Sequence, residues 1–230
     1  LPIRARVGSW LTLRAAMRVP ASGAKVVLLG PSRLPRPLPT AFDGRRLSAP
    51  FALDRPGRFL VQVLAEVEGG PRPVLEALLF ADVAPPEHAE PEPAPGEAAA
   101  DPAMEPASAL ELMLAQARRE EGLPRLRRDE RLDRLAQSHA RAMLDAGRIG
   151  HDLGRGNPAE RARAAGLELA SAGENVALAR DVVLVHRKLF ASPSHRANML
   201  SPSFDAVGIG AVRDGSGRVW ACQLFGQHAR

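Results

Sequence analysis

The sequence contains no tyrosine, one cysteine, two lysines and no long apolar run. With Cys222 as its single cysteine, the chain forms no internal disulfide bond and no metal site built from cysteines alone. With 4% aromatic residues, it has little from which to build a surface that stacks on nucleic-acid bases. Apolar runs such as 182–185 are far shorter than the roughly 20 residues that a membrane-spanning helix requires. The sequence starts at Leu1 without a recognisable secretory signal, which we interpret as a processed or trimmed chain.

Charge falls into three blocks along the 230 residues. Residues 1–84 carry a net charge of +6, residues 85–107 a net charge of −6, and residues 108–230 a net charge of +5. The middle block also holds seven prolines, and an acidic composition rich in proline and alanine is typical of an extended linker. We therefore predict a domain at 1–84, a linker at 85–107 and a second domain at 108–230. The basic residues of the second domain are interleaved with acidic ones, so they do not predict a nucleic-acid partner.

The first domain has the periodicity of β-strands. Apolar residues alternate with polar ones over 58–68, and Gly69-Gly70-Pro71 is a turn signal before a second apolar run at 74–83. Further short runs occur at 3–7, 9–14 and 24–29. Short strands separated by glycine and proline predict a small β-sandwich, in which no residue pattern indicates chemistry.

The second domain changes to helical periodicity and ends in a hairpin. We expect helices to begin at a capping box formed by Ser108 and Glu111, and near Asp129, Asn157, Asp181 and Ser192. Two strands at 206–212 and 219–225 follow, and the second is apolar on both faces apart from Gln223. A strand of that kind is covered on both sides. The domain is therefore predicted to be an α/β protein with a three-layer α/β/α sandwich.

Several motifs of the second domain occur in a distinctive order. They are His151, Gly173-Glu174-Asn175, Ser192-Pro193-Ser-His195-Arg196-Ala-Asn198-Met-Leu200, Phe204-Asp-Ala-Val207-Gly208-Ile-Gly210, and a final strand with Trp220 and Gln223. In this order they resemble the CAP superfamily of cysteine-rich secretory proteins, antigen 5 and pathogenesis-related proteins, and above all its bacterial members. The resemblance spans about residues 108–227 and does not reach the β-domain. It implies the CAP fold and a place outside the cytoplasm or in the cell envelope.

The resemblance also implies a polar central cleft. Animal and plant members hold two histidines and two glutamates there, implicated in binding a divalent metal. His151 and Glu174 match one of each, Trp220 stands where the second histidine would be, and no residue matches the second glutamate. His195 and Asn175 are further candidates for the cleft. Together His151, Glu174 and His195 could bind a metal such as zinc and leave one position open for water. The alternative, which we favour, is a hydrogen-bond network that locks the segments around the cleft.

Two classes of function follow from this resemblance. We expect an extracytoplasmic binding or effector module that requires no cofactor and whose ligand is a lipid, a cell-wall polymer or a protein. The alternative is a metal-assisted, peptidase-like hydrolase that uses His151, Glu174 and His195. Three other groups have ordinary structural interpretations: His139 and His186 as core histidines on apolar helix faces, and Cys222 as a buried, inert thiol.

Overall fold

The structure is a computed structural model that describes residues 4–68, 70–86, 93–101 and 103–228. The chain divides into two compact units, Leu1–Pro91 and Glu92–Arg230. Their boundary lies inside the acidic, proline-rich segment at 85–107. Among the described residues, no helix is both long enough and apolar enough to cross a membrane.

Within its described residues, the first unit contains strands and no helix. They are β1 (Arg4–Ala5), β2 (Trp10–Ala16), β3 (Gly23–Leu29), β4 (Pro35–Leu38), β5 (Ala41–Phe42), β6 (Arg46–Ala52), β7 (Gly57–Val67) and β8 (Gly70–Ala81). One sheet has five strands in the order β1-β8-β7-β3-β4, and the other has three in the order β2-β6-β5. Both sheets contribute to one apolar core, for example through Leu13 and Phe51 of the smaller sheet and Phe59 and Val61 of the larger. The predicted β-sandwich is confirmed.

Proline explains one difference from the predicted strands of this unit. None of the runs predicted as strands falls in the proline-rich segment 31–39, but this segment contains β4, which pairs with β3 at the edge of the five-stranded sheet. An edge strand tolerates proline because one side of its backbone has no neighbouring strand that needs an N–H donor. The predicted hairpin of β7 and β8 is present, although Gly69 of its turn lies outside the described residues.

The second unit contains five α-helices and four strands within the described residues. A short 3-10 helix (Glu97–Ala99) precedes α1 (Pro106–Glu120), β9 (Arg127–Arg128), α2 (Glu130–Asp145), α3 (Pro158–Ala164), β10 (Leu169–Ala179), α4 (Val182–Ala191), α5 (Pro193–Met199), β11 (Ala206–Arg213) and β12 (Val219–His228). The sheet order is β10-β12-β11-β9, so β10 lies at one edge. β12 is antiparallel to both of its neighbours, whereas β9 is parallel to β11.

Helices cover both faces of this sheet. On one face, α1, α4 and α5 pack against side chains such as Ala221 and Phe225. On the other face, α2 and α3 pack against side chains such as Val176 and Leu224. The predicted three-layer α/β/α sandwich is therefore confirmed, with β12 as its doubly covered strand.

Two glycines of β11 allow α2 to lie directly on the sheet backbone. A Cβ atom at Gly208 would come within 2.1 Å of the Leu132 carbonyl carbon, and one at Gly210 within 2.2 Å of the Gln137 amide nitrogen. Gln137 in turn accepts a 2.9 Å hydrogen bond from the Ala211 amide. The V-G-x-G motif is thus a packing requirement, since any larger side chain would force the helix away from the strand.

The first helix begins earlier than predicted. Its N-cap is Glu105, whose carboxylate accepts hydrogen bonds from the amides of Ala107 and Ser108, and Pro106 occupies the first helical position. The expected capping box of Ser108 and Glu111 is therefore wrong, because the helix begins three residues earlier and Glu105 caps its first free amides. The N-caps of α2, α3 and α4 are the predicted Asp129, Asn157 and Asp181.

The segment predicted as linker is folded in its second half. Ala94 belongs to the core beneath α1 and α4, and the Pro95 carbonyl accepts a 2.8 Å hydrogen bond from His186 Nε2. Glu97 forms a two-pronged ion pair with Arg187, at 2.7 and 2.6 Å. Composition alone missed these contacts because a proline-rich segment can lie extended along a helical surface as readily as in solvent.

Candidate functional site

The edge strand β10 carries Gly173-Glu174-Asn175 and was not predicted as a strand. Successive side chains of a strand point to opposite faces. Glu174 therefore shares a face with Val176, which α2 and α3 cover. Asn175 shares the opposite face with Ala177, which packs with α1 and α4, and Asn175 itself contacts α5. The tripeptide thus contributes one polar group to each helical layer.

Glu174 lies at the centre of a buried polar network. Its side chain is 1% exposed, and Arg161 of α3 donates from Nη2 to Oε2 in a charged pair. His151, in the loop between α2 and α3, places Nδ1 2.9 Å from Oε1. His139 Nε2 lies 3.6 Å from Oε1, and Cys222 Sγ lies 3.4 Å from Oε2. Both oxygens of the carboxylate are therefore engaged from inside the protein.

Arg161 is held in place by more than its carboxylate partner. Its Nη1 donates to the carbonyl oxygens of His151 at 2.6 Å and Gly156 at 2.7 Å. The loop that carries His151 is thus bound to α3 by the same guanidinium that neutralises Glu174. The planar fork of arginine suits this task because it offers several donors in a fixed geometry.

The network fixes the protonation states of its members. Burial on its own would raise the pKa of Glu174, but the His151 hydrogen bond and the Arg161 charge outweigh it and hold that pKa below its usual value. Burial lowers the pKa of His139, and the Glu174 charge only partly opposes this. Burial, together with the Glu174 charge, raises the pKa of Cys222 well above its usual value. Glu174 is therefore ionised at neutral pH, His139 is neutral and Cys222 is a thiol.

A second network lies on the other face of β10. Asn175 Nδ2 donates to the His195 carbonyl oxygen at 3.0 Å and to Gln223 Oε1 at 3.1 Å. Asn198 Nδ2 donates to Asn175 Oδ1 at 2.9 Å. A Cβ atom at Gly173 would lie 2.8 Å from the Phe204 ring, so the strand needs glycine beside this network. These contacts attach α5 to the edge of the sheet.

The His195 ring does not contact the Glu174 carboxylate as the predicted metal site would require. Within the described residues, the partners of the Glu174 carboxylate are Arg161, His139, His151 and Cys222, so the structure joins His151 to Glu174 without the His195 ring. Burial, with a smaller contribution from the nearby His151 charge, lowers the pKa of His195 to about 4. The His195 ring is therefore neutral at physiological pH.

The remaining motif residues have structural contacts. Arg196 donates to the Phe190 carbonyl, and its guanidinium carbon lies 4.1 Å from the centre of the Phe190 ring. Trp220 is buried and donates from Nε1 to Asp214 at 3.1 Å, outside the Glu174 network. Pro193 starts α5, and Ser192 occupies its N-cap position without a side-chain capping bond; its hydroxyl lies 3.3 Å from that of Ser194.

Sequence reasoning identified some members of the Glu174 network and missed others. Cys222 is buried as predicted. His139 is a satisfied core histidine as predicted, because Nε2 lies 2.8 Å from the Gly150 carbonyl, but its approach to Glu174 was not anticipated. Arg161 was missed altogether. It is one of two arginines on a short helix, and no local pattern distinguishes the buried Arg161 from the exposed Arg163.

The donor set around Glu174 does not fit a divalent cation. A metal would have to share a carboxylate that is 1% exposed and already accepts a hydrogen bond on each oxygen, and the permanent charge of Arg161 would repel a second cation beside it. Throughout the described part of the chain, no group of three histidine, cysteine or acidic side chains has the arrangement of a metal site. The guanidinium supplies the positive charge that a metal would otherwise provide.

The fold and the networks define an α/β/α sandwich whose edge strand joins a buried carboxylate to one helical layer and an amide to the other. Residues 113–224 match the family model described as "CAP: Cysteine-rich secretory protein family", so the second unit of this chain belongs to that family. The resemblance predicted over about 108–227 is confirmed.

Part of the chain has the fold of a solved structure. An outer surface protein of Borrelia burgdorferi is 21% identical with a TM-score of 0.51, over 54% of this chain and 93% of that one. An extracellular protein of Bacillus anthracis that contains an SCP domain is 18% identical with a TM-score of 0.49, over 77% of this chain and 66% of that one. No curated protein sequence matches the chain significantly.

Proposed function

We propose that the CAP domain is a binding module that acts outside the cytoplasm and catalyses no hydrolysis. The observation that carries this proposal is the complete engagement of the Glu174 carboxylate by Arg161 and His151 in a site that excludes solvent. The description of the matching family as secretory supports the extracytoplasmic location.

The chemistry of a hydrolase is poorly supported by this arrangement. A general base works best when its pKa lies near the operating pH and when a lone pair reaches the attacking water. Glu174 has a lowered pKa and is 1% exposed, and His195 has a pKa of about 4 and would be a weak base. Cys222 is buried as a thiol, so it offers no nucleophile.

The accessible groups suit an uncharged polar ligand. The His151 side chain is 16% exposed, and residue His195 as a whole is half-buried, so these two residues are where a ligand would reach the candidate site. The neutral His195 imidazole offers one donor and one acceptor, which suits hydroxyl and acetamido groups, while His151 has only Nε2 left for a ligand because its Nδ1 is bonded to Glu174. Among lipid, cell-wall and protein ligands, we therefore propose a cell-wall glycan.

The absence of hydrolysis is tested with metal and a general substrate. Wild type and Glu174→Gln are compared by thermal unfolding and by cleavage of labelled casein, each with chelator and with added zinc. We expect no saturable zinc shift in the midpoint of unfolding and no cleavage above the blank. A zinc shift or a peptidase activity that disappears in Glu174→Gln would establish the metal-assisted hydrolase instead.

Binding is tested by co-sedimentation of the chain with purified peptidoglycan sacculi. We expect His195→Gln to weaken sedimentation, whereas His228→Gln serves as a matched exchange at a histidine paired with Asp205 at the end of β12. Equal sedimentation of both variants would exclude His195 from the binding surface. No sedimentation of the wild type would refute the glycan as ligand.

A further inference from the structure

The smaller sheet of the first unit has one face that points away from the core. Its inward positions, such as Leu13, Leu47 and Phe51, are buried in the core between the two sheets. The alternate positions of β2, β6 and β5 point away from that core. We call them the β2–β6 face: Trp10, Thr12, Arg14, Ala16, Ala41, Arg46, Ser48, Pro50 and Ala52.

Trp10 is the unusual member of this face. It is 78% exposed, whereas Trp220, the other tryptophan, is 3% exposed. A tryptophan buries more apolar area than almost any other side chain, so leaving one in water forgoes a large stabilisation. It stands at one end of the face, opposite Ala52, and its neighbours are too small to cover it.

The charge of the face has one sign. Arg14 and Arg46 are exposed at the other end, and none of the nine described positions of the face is acidic. The carboxylate beside that end is Asp43, in the turn before β6, where it accepts hydrogen bonds from the amides of Arg45 and Arg46. Arg45 and Arg18 add two more exposed cations around the same end.

We propose that the β2–β6 face docks on an anionic lipid bilayer. Indole rings concentrate at the boundary between lipid and water, where the apolar ring and the N–H are both accommodated. Juxtaposed arginines are attracted to anionic headgroups. The small residues between Trp10 and Arg14 let both ends approach one plane, and no carboxylate on the face opposes the approach. This inference concerns the first unit and does not depend on the function proposed for the CAP domain.

The experiment uses the full chain and two kinds of vesicle, phosphatidylcholine alone and phosphatidylcholine mixed with phosphatidylglycerol. We expect co-sedimentation with the anionic vesicles only, weakened by salt, together with a blue shift of tryptophan emission. Trp10 is the reporter, since Trp220 is already buried. Binding to both vesicles alike, or to neither, would overturn the proposal.

Variants separate this surface from others. Trp10→Ala should abolish the blue shift and weaken sedimentation, and Arg14→Gln and Arg46→Gln should each weaken partition about fivefold, the effect of one arginine near an anionic surface. Arg58→Gln, at an exposed site on the five-stranded sheet, is the matched control and should change nothing. Circular dichroism confirms folding. If single-stranded oligonucleotide quenches Trp10 while anionic vesicles do not, the face binds nucleic acid and the lipid proposal is wrong.

Discussion

Replacing Arg161 by methionine tests whether the guanidinium is the resident cation of the Glu174 network. Methionine keeps much of the apolar stem but removes the donors to Glu174 and to the carbonyl oxygens of His151 and Gly156. The carboxylate would then be left buried with only imidazole and thiol partners. Removing one member of a buried ion pair costs about 3–5 kcal/mol, because the other charge remains uncompensated. We expect a loss of that size in the free energy of unfolding at pH 7.

The assay is urea unfolding followed by far-UV circular dichroism, arranged as a double-mutant cycle. Glu174→Gln alone should cost about 1–3 kcal/mol, since an amide keeps part of the hydrogen bonding. The double variant should be more stable than the sum of the two single losses predicts, by about 2 kcal/mol or more. Arg163→Met, at an exposed position of the same helix, is the control and should stay within about 0.5 kcal/mol of wild type.

Acid provides an independent check on the same pair. The lowered pKa of Glu174 means that its stabilising contribution is complete above the usual value of 4.5 and is lost as the pH falls through the lower, folded-state value. Without Arg161 that pKa rises, so the variant should lose less stability on acidification than the wild type does. If Arg161→Met is as stable as Arg163→Met at pH 7, or if the cycle is additive, the assignment of Arg161 as the counter-charge is refuted.

Three further outcomes follow from the contacts of the second unit. Cys222 should react with a thiol reagent slowly in the native state and rapidly in denaturant, because it is buried and its pKa is raised; rapid native labelling would contradict this. His195 has a pKa of about 4 against a usual value of 6.5, so only the unfolded chain takes up the proton between these values and stability falls as pH drops through this range. His195→Gln should make that fall shallower by about 1–3 kcal/mol, and an unchanged profile from urea unfolding at each pH would be inconsistent with the burial of the ring. Glu97→Gln should lower the free energy of unfolding by about 1 kcal/mol, because it breaks the partly buried pair with Arg187. Limited proteolysis should yield a stable fragment that begins before Ala94. Equal stability of Glu97→Gln, or a first cleavage within α1, would disprove that the second half of the segment 85–107 is folded.

The sequence predicted those elements whose local pattern and tertiary environment agree. The run at 219–225 is apolar on both faces, and β12 is indeed covered on both sides. Asp129 and Asn157 cap helices as their side chains allow. The strand β10 was not predicted because Leu169–Ala179 is rich in alanine and carries three polar residues among its first seven positions, so it has neither β-branched enrichment nor clear alternation. Its extended form depends on pairing with β12, which is a contact between distant parts of the chain.

In the candidate site too, some residues could be predicted from the sequence and others depend on contacts between distant parts of the chain. The G-E-N tripeptide and His151 could be selected by their likeness to a family, but their partners could not, because Arg161 approaches Glu174 only after α3 packs on β10. A carboxylate has no periodicity that specifies its counter-charge. The charge of the partner decides the chemistry, since a guanidinium and a metal ion are alternatives at one carboxylate. Arg161, the residue that distinguishes a structural network from a metal site, is therefore the one that a local sequence pattern predicts least well.

Gly173-Glu174-Asn175 has a physical role that follows from its place on an edge strand. A central strand is held by neighbours on both sides, whereas β10 pairs only with β12. Glu174 connects the middle of β10 to α3 and to the loop that carries His151, and Asn175 connects it to α5 and to Gln223. Gly173 is required because Phe204 leaves no room for a side chain there. Glu174 supplies the charge that pairs with Arg161, and Asn175 supplies both a donor and an acceptor to residues of α5. Buried polar groups of this kind stabilise one arrangement because any shift in register would leave them without partners. The tripeptide thus attaches both helical layers to the edge strand β10, and His151 and His195 lie partly buried beside these contacts.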